Sequence, residues 1–231
     1  MKKLLLCIVV LSAFASFAQS GKAAPENFVP KGWKIIATTK GDLNKDGAED
    51  IAIVIEDTKK ANFKKNEGMG SPEINLNPRE LLILFKDKAK GTYSLIEKTD
   101  SFIPEANDEE NPCLADPLLE NGDITIYKGV LVVDFNYWYS CGSSGVTHNT
   151  YTFRFQDNAF MLIGYDSYDF NRFSGDKDTV SINFLTKKKS ITSGENEFGE
   201  GTAKPKVVWK AITIDKLIKL QDLNRTSEIE F

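Results

Sequence analysis

The sequence has little that would draw it to nucleic acid or hold it in a membrane. It contains 29 Lys and Arg against 33 Asp and Glu, a formal net charge of −4, and a mildly acidic chain has no electrostatic attraction to a phosphate backbone. Beyond residue 20, no apolar run reaches the about 20 residues that a membrane-spanning helix needs. Some glycines in the sequence are spaced two apart, but these pairs lack the third glycine of a dinucleotide-binding fingerprint. We therefore expect no nucleic-acid partner, no membrane span and no nucleotide site.

The N-terminus has the pattern of a secretory signal peptide. Two lysines precede a short apolar stretch, and Ser16 and Ala18 put small residues at the two positions that a signal peptidase reads. We predict a signal peptide over residues 1–18, and a mature chain of residues 19–231 that forms a single β-rich domain. The expected location is therefore the periplasm or the extracellular space.

Cysteine is scarce, with three in the chain. Cys7 lies inside the predicted signal peptide, too early in its apolar run to be a lipid-attachment residue. Cys113 and Cys141 remain, and an even pair in an oxidising compartment predicts a disulfide. The alternative is two free buried thiols.

Short β-rich runs separated by polar turns make up most of the chain. They cover residues 33–39, 51–56, 81–85, 92–97, 124–127, 130–139, 151–155, 159–165, 180–185 and 206–210. Several are joined by short polar links with Gly, Asp or Asn, which is typical of hairpins. We predict an all-β fold of antiparallel hairpins in a sandwich or a partial propeller-like arrangement. One short C-terminal helix is expected from residues that share a helical face: Ile214, Leu217, Ile218 and Gln221.

The most specific motif is a run of oxygen-bearing side chains over residues 42–50. Asp42, Asn44 and Asp46 occupy alternate positions, so a curling backbone can turn all three inward, and Gly47 permits the sharp turn that follows. Carboxylates this close repel one another unless a cation lies between them. Calcium, a hard cation with oxygen ligands, fits this pattern. The predicted ligands of one Ca²⁺ are the side chains of Asp42, Asn44, Asp46 and Asp50 and the carbonyl of Ala48. The alternative is an Asp/Asn-rich turn without metal.

This loop is not an EF-hand, which has a Glu at its twelfth position. Ile53 stands there, and the residues around it form a β-rich run. With D-x-N-x-D-G-x-x-D between two strands, residues 33–56 resemble the calcium loops of FG-GAP and VCBS-type repeats. The resemblance implies the ligand set given above and a structural role for the ion. Those families usually repeat the motif; the single copy here resembles single-copy exported proteins of the Bacteroidetes.

Aromatic residues alternate along two predicted strands and are expected to face the core: Phe135, Tyr137, Tyr139, Tyr151, Phe153 and Phe155. The alternative is a sugar- or peptide-binding platform. Trp138 points the other way and is a candidate ligand contact. Ser143 and Ser144 lie in the next loop, which is followed by His148, the only histidine. Their spacing does not fit a nucleophile elbow, so we predict ligand binding for these four residues and no catalysis.

These features together favour an exported calcium-binding β-domain with a non-enzymatic binding or structural role. Its partner would be an envelope or extracellular ligand, either a glycan or a protein. The alternative is a secreted hydrolase acting on a glycan or a phosphoester through surface carboxylates, with Asp166 and Asp169 as candidates. A hydrolase would show a cleft with converging carboxylates, whereas a binding module would show a shallow exposed patch.

Overall fold

The fold is built almost entirely from β-strands. The computed structural model describes residues 23–199, 204–225 and 229, so the predicted signal peptide, with Cys7, lies outside the described residues. The described part of the chain forms β1 (Trp33–Gly41), β2 (Asp50–Asp57), β3 (Phe63–Lys65), β4 (Glu73–Asn75), β5 (Arg79–Lys86), β6 (Tyr93–Thr99), β7 (Asp123–Tyr127), β8 (Val130–Trp138), β9 (Gly145–Gln156), β10 (Ala159–Asn171), β11 (Asp176–Asn183), β12 (Lys188–Asn196) and β13 (Lys206–Ala211). Short 3-10 turns are formed by Pro25–Phe28, Lys60–Asn62 and Leu220–Asp222. The predicted all-β fold class is confirmed.

The strands form two main antiparallel sheets. The four-stranded sheet has the order β1-β2-β5-β6, and the seven-stranded sheet has the order β13-β12-β11-β10-β9-β8-β7. β3 and β4 form a separate two-stranded sheet. Neighbours in the seven-stranded sheet follow one another in the sequence, so this sheet is a meander of hairpins. The predicted hairpins β5–β6, β7–β8 and β9–β10 are all formed.

The main hydrophobic core lies between the two sheets. Because residues two apart on a strand share a face, alternate positions of each sheet point into this core. The four-stranded sheet contributes Ala52, Val54, Leu81 and Ile83, and the seven-stranded sheet contributes Leu131, Val133, Phe135, Tyr151, Phe153, Phe160 and Leu162. This face-to-face packing is that of a sandwich.

The four-stranded sheet is buried on its second face as well. Side chains there form a smaller apolar cluster with the N-terminal segment: Phe28, Ile51, Ile53, Ile55, Leu82, Leu84 and Tyr93. Every residue of β2 is buried as a result. Burial on both faces explains why this strand has an unbroken apolar run and not an alternating pattern.

The aromatic rows predicted on β8 and β9 contribute to the core. Phe135, Tyr151 and Phe153 are buried and meet Phe102 edge-on, with ring centroids 5.4, 5.1 and 5.6 Å away. Edge-to-face pairs of this kind stabilise a fold by about 0.5–1.5 kcal/mol each beyond their buried area. The core interpretation is confirmed for these three rings, and Tyr137 and Phe155 pack against the core as partly buried residues. Tyr139 is partly buried outside the core cluster.

The C-terminal segment does not form the predicted amphipathic helix. Its helical part, within the described residues, is the single 3-10 turn Leu220–Asp222. Before that turn the chain runs beside β10, where the carbonyl of Ile218 accepts the backbone N–H of Leu162 at 2.8 Å. Pairing with a strand satisfies backbone groups that a helix would have bonded internally. Nowhere in the described ranges is a helix long and apolar enough to cross a membrane.

Candidate metal centre

The predicted calcium loop lies where β1 turns into β2. β1 ends at Gly41 and β2 begins at Asp50, and these two residues are paired across the strands. The loop therefore joins two antiparallel strands, as expected from the sequence. Gly41 is required for lack of space, because a Cβ there would lie 2.4 Å from Cγ2 of Ile126 on β7. The base of the loop thus rests against the seven-stranded sheet.

Asp42 and Asn44 turn their side-chain oxygens into the loop. The two carboxylate oxygens of Asp42 accept the backbone N–H of Asp46 at 3.2 Å and that of Gly47 at 3.0 Å. The Asn44 side-chain oxygen accepts the same Asp46 N–H at 3.0 Å. Gly47 has a φ of 80°, in the left-handed region where glycine is favoured. The backbone therefore curls around its own oxygen-bearing side chains.

Asp46 continues this pattern on the exposed side of the loop. Its carboxylate accepts the backbone N–H of Ala48 at 2.7 Å and the side-chain amide of Asn44 at 3.1 Å. Ala48, whose carbonyl is a predicted ligand, is buried directly after this turn. The structure therefore brings three of the predicted side chains together: Asp42, Asn44 and Asp46.

Asp50 is fully buried at the far side of the loop. One carboxylate oxygen accepts the N–H of Leu43 at 2.9 Å and that of Asn44 at 3.4 Å, and the other accepts the N–H of Lys86 on β5 at 3.0 Å. Burial raises the pKa of Asp50, these hydrogen bonds oppose the rise, and the charge of Asp46 adds to it. The charged form of this carboxyl would gain from any cation in the loop.

The donor set suits a hard cation such as Ca²⁺. All five predicted ligands offer oxygen, and three of them are carboxylates: Asp42, Asp46 and Asp50. Within the described ranges, no three His, Cys, Asp or Glu side chains are grouped so that they could hold a metal ion. A site in this loop would therefore also need the amide oxygen of Asn44 and the carbonyl of Ala48.

Hairpins from both sheets reach the loop. A Cβ at Gly47 would lie 3.1 Å from Nζ of Lys88, which belongs to the β5–β6 turn. A Cβ at Gly129, in the β7–β8 turn, would lie 3.2 Å from Cε of Lys45 and 3.4 Å from the carbonyl oxygen of Asp42. The conformation of the loop is therefore coupled to the way the two sheets meet.

Cys113 and Cys141 lie at disulfide distance, with Cα atoms 5.5 Å apart, which confirms the predicted pairing. Beside them, the N–H of Ser140 donates to the Cys113 carbonyl at 2.8 Å, and the N–H of Ala115 donates to the Trp138 carbonyl at 2.9 Å. The disulfide thus fastens the segment before β7 to the loop after β8. That loop carries the predicted serines.

Trp138, predicted as a ligand contact, is partly buried. The guanidinium of Arg172 lies over its ring, 5.3 Å from the centroid. The same guanidinium donates to the carbonyl of Tyr139 at 3.2 Å and to the carbonyl of Ser143. Trp138 and Ser143 are therefore both held by contacts within the fold.

The two serines of this loop make local contacts. The hydroxyl of Ser143 accepts the backbone N–H of Gly145 at 3.2 Å, and the hydroxyl of Ser144 accepts the side-chain amide of Asn171 at 3.4 Å. No hydrogen bond between described residues joins either hydroxyl to His148. A nucleophilic Ser–His pair is therefore not formed here, in agreement with the mismatch to a nucleophile elbow.

His148 belongs instead to a polar cluster on the outer face of the seven-stranded sheet. Its Nε2 lies 3.4 Å from the carboxylate of Asp134, which also accepts the hydroxyl of Thr150 at 2.5 Å. Its ring stacks on Tyr168, with centroids 5.1 Å apart. The imidazole is thus partnered on its edge and on one face.

The two candidate carboxylates of a hydrolase do not converge. Asp166 and Asp169 both lie within β10, three positions apart, so their side chains point to opposite faces of the sheet. Asp166 is paired with Thr150 on the outer face, whereas Asp169 accepts the hydroxyl of Thr147 at 2.6 Å.

Sequence reasoning missed two groups that the fold makes prominent. Arg79 is buried with Glu56 and Asp116, and nothing in the sequence distinguishes it from a surface arginine at the start of a strand. Trp209 is 67% exposed on β13. The signal for it was present, because lysines at both ends of the run Lys206–Ala211 are typical of an exposed edge strand.

No protein-family model, curated protein or solved structure matches this chain. The resemblance to FG-GAP and VCBS-type calcium loops therefore stays a prediction based on residues 42–50. The geometry of that loop remains the best basis for a function.

Proposed function

We propose that this chain is an exported calcium-binding β-domain that binds or scaffolds a partner and does not catalyse a reaction. The observation that carries the proposal is the closed loop of residues 42–50. Asp42, Asn44 and Asp46 turn oxygens toward one another around shared backbone N–H groups. The buried carboxyl of Asp50 lies across from them. A calcium ion in the loop would offset two of the three negative charges of the carboxylates.

The role proposed for the ion is structural. Lys88 lies against the turn of the loop, and Lys45 lies over Gly129 of the β7–β8 turn. Without a cation, the carboxylates of the loop repel one another and favour a looser conformation. Calcium bound by Asp42, Asn44, Asp46, Ala48 and Asp50 would then stiffen the junction between the two sheets.

Export is part of this proposal. It is supported by the lysines, apolar stretch and small residues of residues 1–18. The proximity of Cys113 and Cys141 adds to it, because disulfides persist in oxidising compartments. Cleavage after Ala18 would leave Gln19 as the first residue, which the mass of the protein recovered after export can establish.

The decisive experiment is thermal unfolding of the exported protein with calcium and with a chelator. An ion that binds only the folded state stabilises it by about 2.7 kcal/mol at a hundredfold excess over its dissociation constant. In a chain of this size, that corresponds to a rise in melting temperature of about 5–10 °C. We expect Asp46→Ala to abolish the rise.

Glu49→Ala is the matched control, because it removes an equal charge from the same loop at a side chain that is not a predicted ligand. Glu49 is exposed and lies 3.5 Å from Lys40. This variant should retain the calcium-dependent rise. If millimolar calcium produces no rise in the unmodified protein, or if both variants lose it equally, the loop is an acidic turn without a specific ion.

A further inference from the structure

A cavity of about 580 Å³ opens on the outer face of the seven-stranded sheet, away from the calcium loop. It lies across β11, β12 and β13 and is lined by Ser181, Asn183, Thr186, Lys188, Trp209, Lys210 and Ala211. Its volume falls in the range of pockets that hold small ligands. Ile182, between Ser181 and Asn183 on β11, points to the opposite face and into the main core, whereas Asn183, Lys188 and Trp209 are exposed on this face.

The register of the three strands explains why the cavity is there. Ser181, Ser190 and Trp209 are directly paired across β11, β12 and β13, so their side chains form one row on one face. In that row two short hydroxyl side chains lie next to a large indole. The indole therefore projects beyond the two shorter side chains beside it, and Trp209 is 67% exposed although it lies within a strand.

The next row supplies polar groups beside the indole. Asn183, Lys188 and Ala211 are paired in the same way, two positions further along each strand. The side-chain oxygen of Asn183 accepts the backbone N–H of Thr186 at 2.9 Å, and its side-chain amide donates no hydrogen bond to another described residue. Lys188 is exposed on the same face as Trp209. The cavity thus combines an aromatic face with hydrogen-bond donors at its rim.

The charge of the lining is one-sided. It includes Lys188 and Lys210 and no Asp or Glu. Only Lys188 directs its side chain to the face of Trp209, because Lys210 is the next residue after Trp209 on β13 and points the other way. Neither ammonium forms a salt bridge within the described part of the chain, whereas other surface lysines do, such as Lys177 with Glu197 at 2.8 Å. This local excess of positive charge lies on a chain of net charge −4. An anionic group on a ligand would therefore find the unpaired ammonium of Lys188 here.

We propose that this cavity binds an acidic carbohydrate, an oligosaccharide whose sugars carry carboxylates. A pyranose ring presents an apolar C–H face and a rim of hydroxyl groups. The indole of Trp209 would cover the C–H face, and Ser181 and Asn183 would bond the hydroxyl rim. Lys188 would take the carboxylate in a charge-assisted hydrogen bond. This inference rests on the proposed binding role of the domain, but it does not require calcium.

The test is a binding titration of the exported protein against paired oligosaccharides. The carboxylated set consists of tetramers of galacturonate, mannuronate, guluronate and glucuronate, and the matched set consists of the corresponding neutral sugars. We expect at least one carboxylated tetramer to bind and its neutral counterpart to bind about tenfold more weakly or worse. Trp209→Ala should lower the affinity by about tenfold or more, and Lys188→Gln should remove the preference for the charged sugar.

Two control variants lie on the same strand outside the cavity. Val207→Ala removes an exposed apolar side chain, and Lys206→Gln removes a charge equal to that of Lys188. Both should bind the sugar like the unmodified protein, and all four variants should keep its melting temperature, since each side chain is exposed. Chelator should leave binding unchanged, so failure of the calcium proposal and failure of this one are separable.

The proposal is overturned if no carboxylated tetramer binds at millimolar concentration, or if the neutral counterparts bind equally well. Binding that survives Trp209→Ala would overturn it too. A concentration-dependent dimer that Trp209→Ala abolishes, with no sugar binding, would assign the exposed indole to contact with a second copy of the chain and would also overturn it.

Discussion

The two sheets of the sandwich use their faces in different ways. The four-stranded sheet has an apolar cluster on each face, and β2 is buried along its whole length. The seven-stranded sheet has one apolar face, and its outer face carries polar and charged side chains such as Asp134, Thr150 and Ser181. We infer that the four-stranded sheet provides stability, whereas the outer face of the seven-stranded sheet is available to a ligand.

The two sheets also differ in whether their charged side chains are buried and paired. The four-stranded sheet buries Arg79, whose guanidinium bonds Glu56 at 2.9 Å and Asp116 at 2.8 Å. Burial alone would lower the pKa of Arg79, but Asp116 and Glu56 outweigh it and the pKa is raised. On the outer face of the seven-stranded sheet, Lys188 stays exposed without a salt bridge to any described residue. The buried charge of Arg79 is thus neutralised by two carboxylates, whereas the charge of Lys188 is left to water.

The largest effect is expected from breaking the buried ion pairs. Arg79→Met would leave the carboxylates of Glu56 and Asp116 with no guanidinium between them. Glu56 is almost fully buried, and removing one partner of a buried pair costs about 3–5 kcal/mol. Chemical denaturation should show a loss of this size in the free energy of unfolding.

The double variant Arg79→Met with Glu56→Met is the control. Replacing a buried pair by apolar residues of similar volume is often close to neutral, so this variant should recover much of the loss. Lys188→Met, at an exposed lysine of the outer face, should change stability by at most about 0.5 kcal/mol. A loss below about 1 kcal/mol for Arg79→Met would mean that water, or the ammonium of Lys34 at 2.9 Å from Glu56, compensates the buried carboxylates.

A second prediction tests the faces directly through neighbouring residues. Ile53 and Val54 are adjacent on β2 and point to opposite faces, and both are fully buried. Phe153 and Thr152 are adjacent on β9, and only Phe153 is fully buried. Alanine at Ile53 should cost about 2–5 kcal/mol and at Phe153 about 3–5 kcal/mol. Val54→Ala should also be costly, whereas Thr152→Ala should cost at most about 1 kcal/mol.

Denaturant unfolding of the four variants measures the contrast. Its sharpest form is the difference within each pair of neighbours, since strand propensity and local backbone are then matched. A large loss for Thr152→Ala would show that the outer face is covered in solution. A small loss of stability for Ile53→Ala would show that the second face of the four-stranded sheet is open to solvent.

Most strands were predictable from the sequence because strand patterns are local, but β3, β4 and β12 were not among the predicted runs. Apolar runs and polar links are enough to locate β5–β6, β7–β8 and β9–β10, and the Asp/Asn pattern of residues 42–50 locates the β1–β2 loop. The helix predicted for the C-terminal segment was wrong, although the spacing of Ile214, Leu217 and Ile218 suits a helix. Its backbone is bonded to β10 instead, and that contact depends on tertiary structure.

Contacts between distant parts of the chain also determine how exposed the tryptophan side chains are. Trp138 was predicted as a ligand contact because of its position on β8, and the structure places Arg172, which follows β10, over its ring. Trp209 is exposed because it is paired with Ser190, and this register connects residues 19 positions apart (209 − 190). The cover on Trp138 is not visible in a local pattern, whereas the lysines around Trp209 indicate an exposed edge strand but not the cavity beside it.

The smallest predicted effect comes from tyrosines on the inner face of the seven-stranded sheet. Burial raises the pKa of Tyr137 to about 12 and raises the pKa of Tyr151 as well. An unfolded chain ionises its tyrosines near pH 10, so between about pH 10 and 12 the unfolded state binds fewer protons and stability falls as pH rises. Each such group contributes a slope of up to about 1.4 kcal/mol per pH unit.

Tyr137→Phe should make the fall in unfolding free energy shallower over this range, whereas Tyr127→Phe, at an exposed ring on the edge strand β7, should leave it unchanged. Equal slopes for both variants would mean that water reaches Tyr137 and that the inner face is less tightly closed at this point than on the four-stranded sheet.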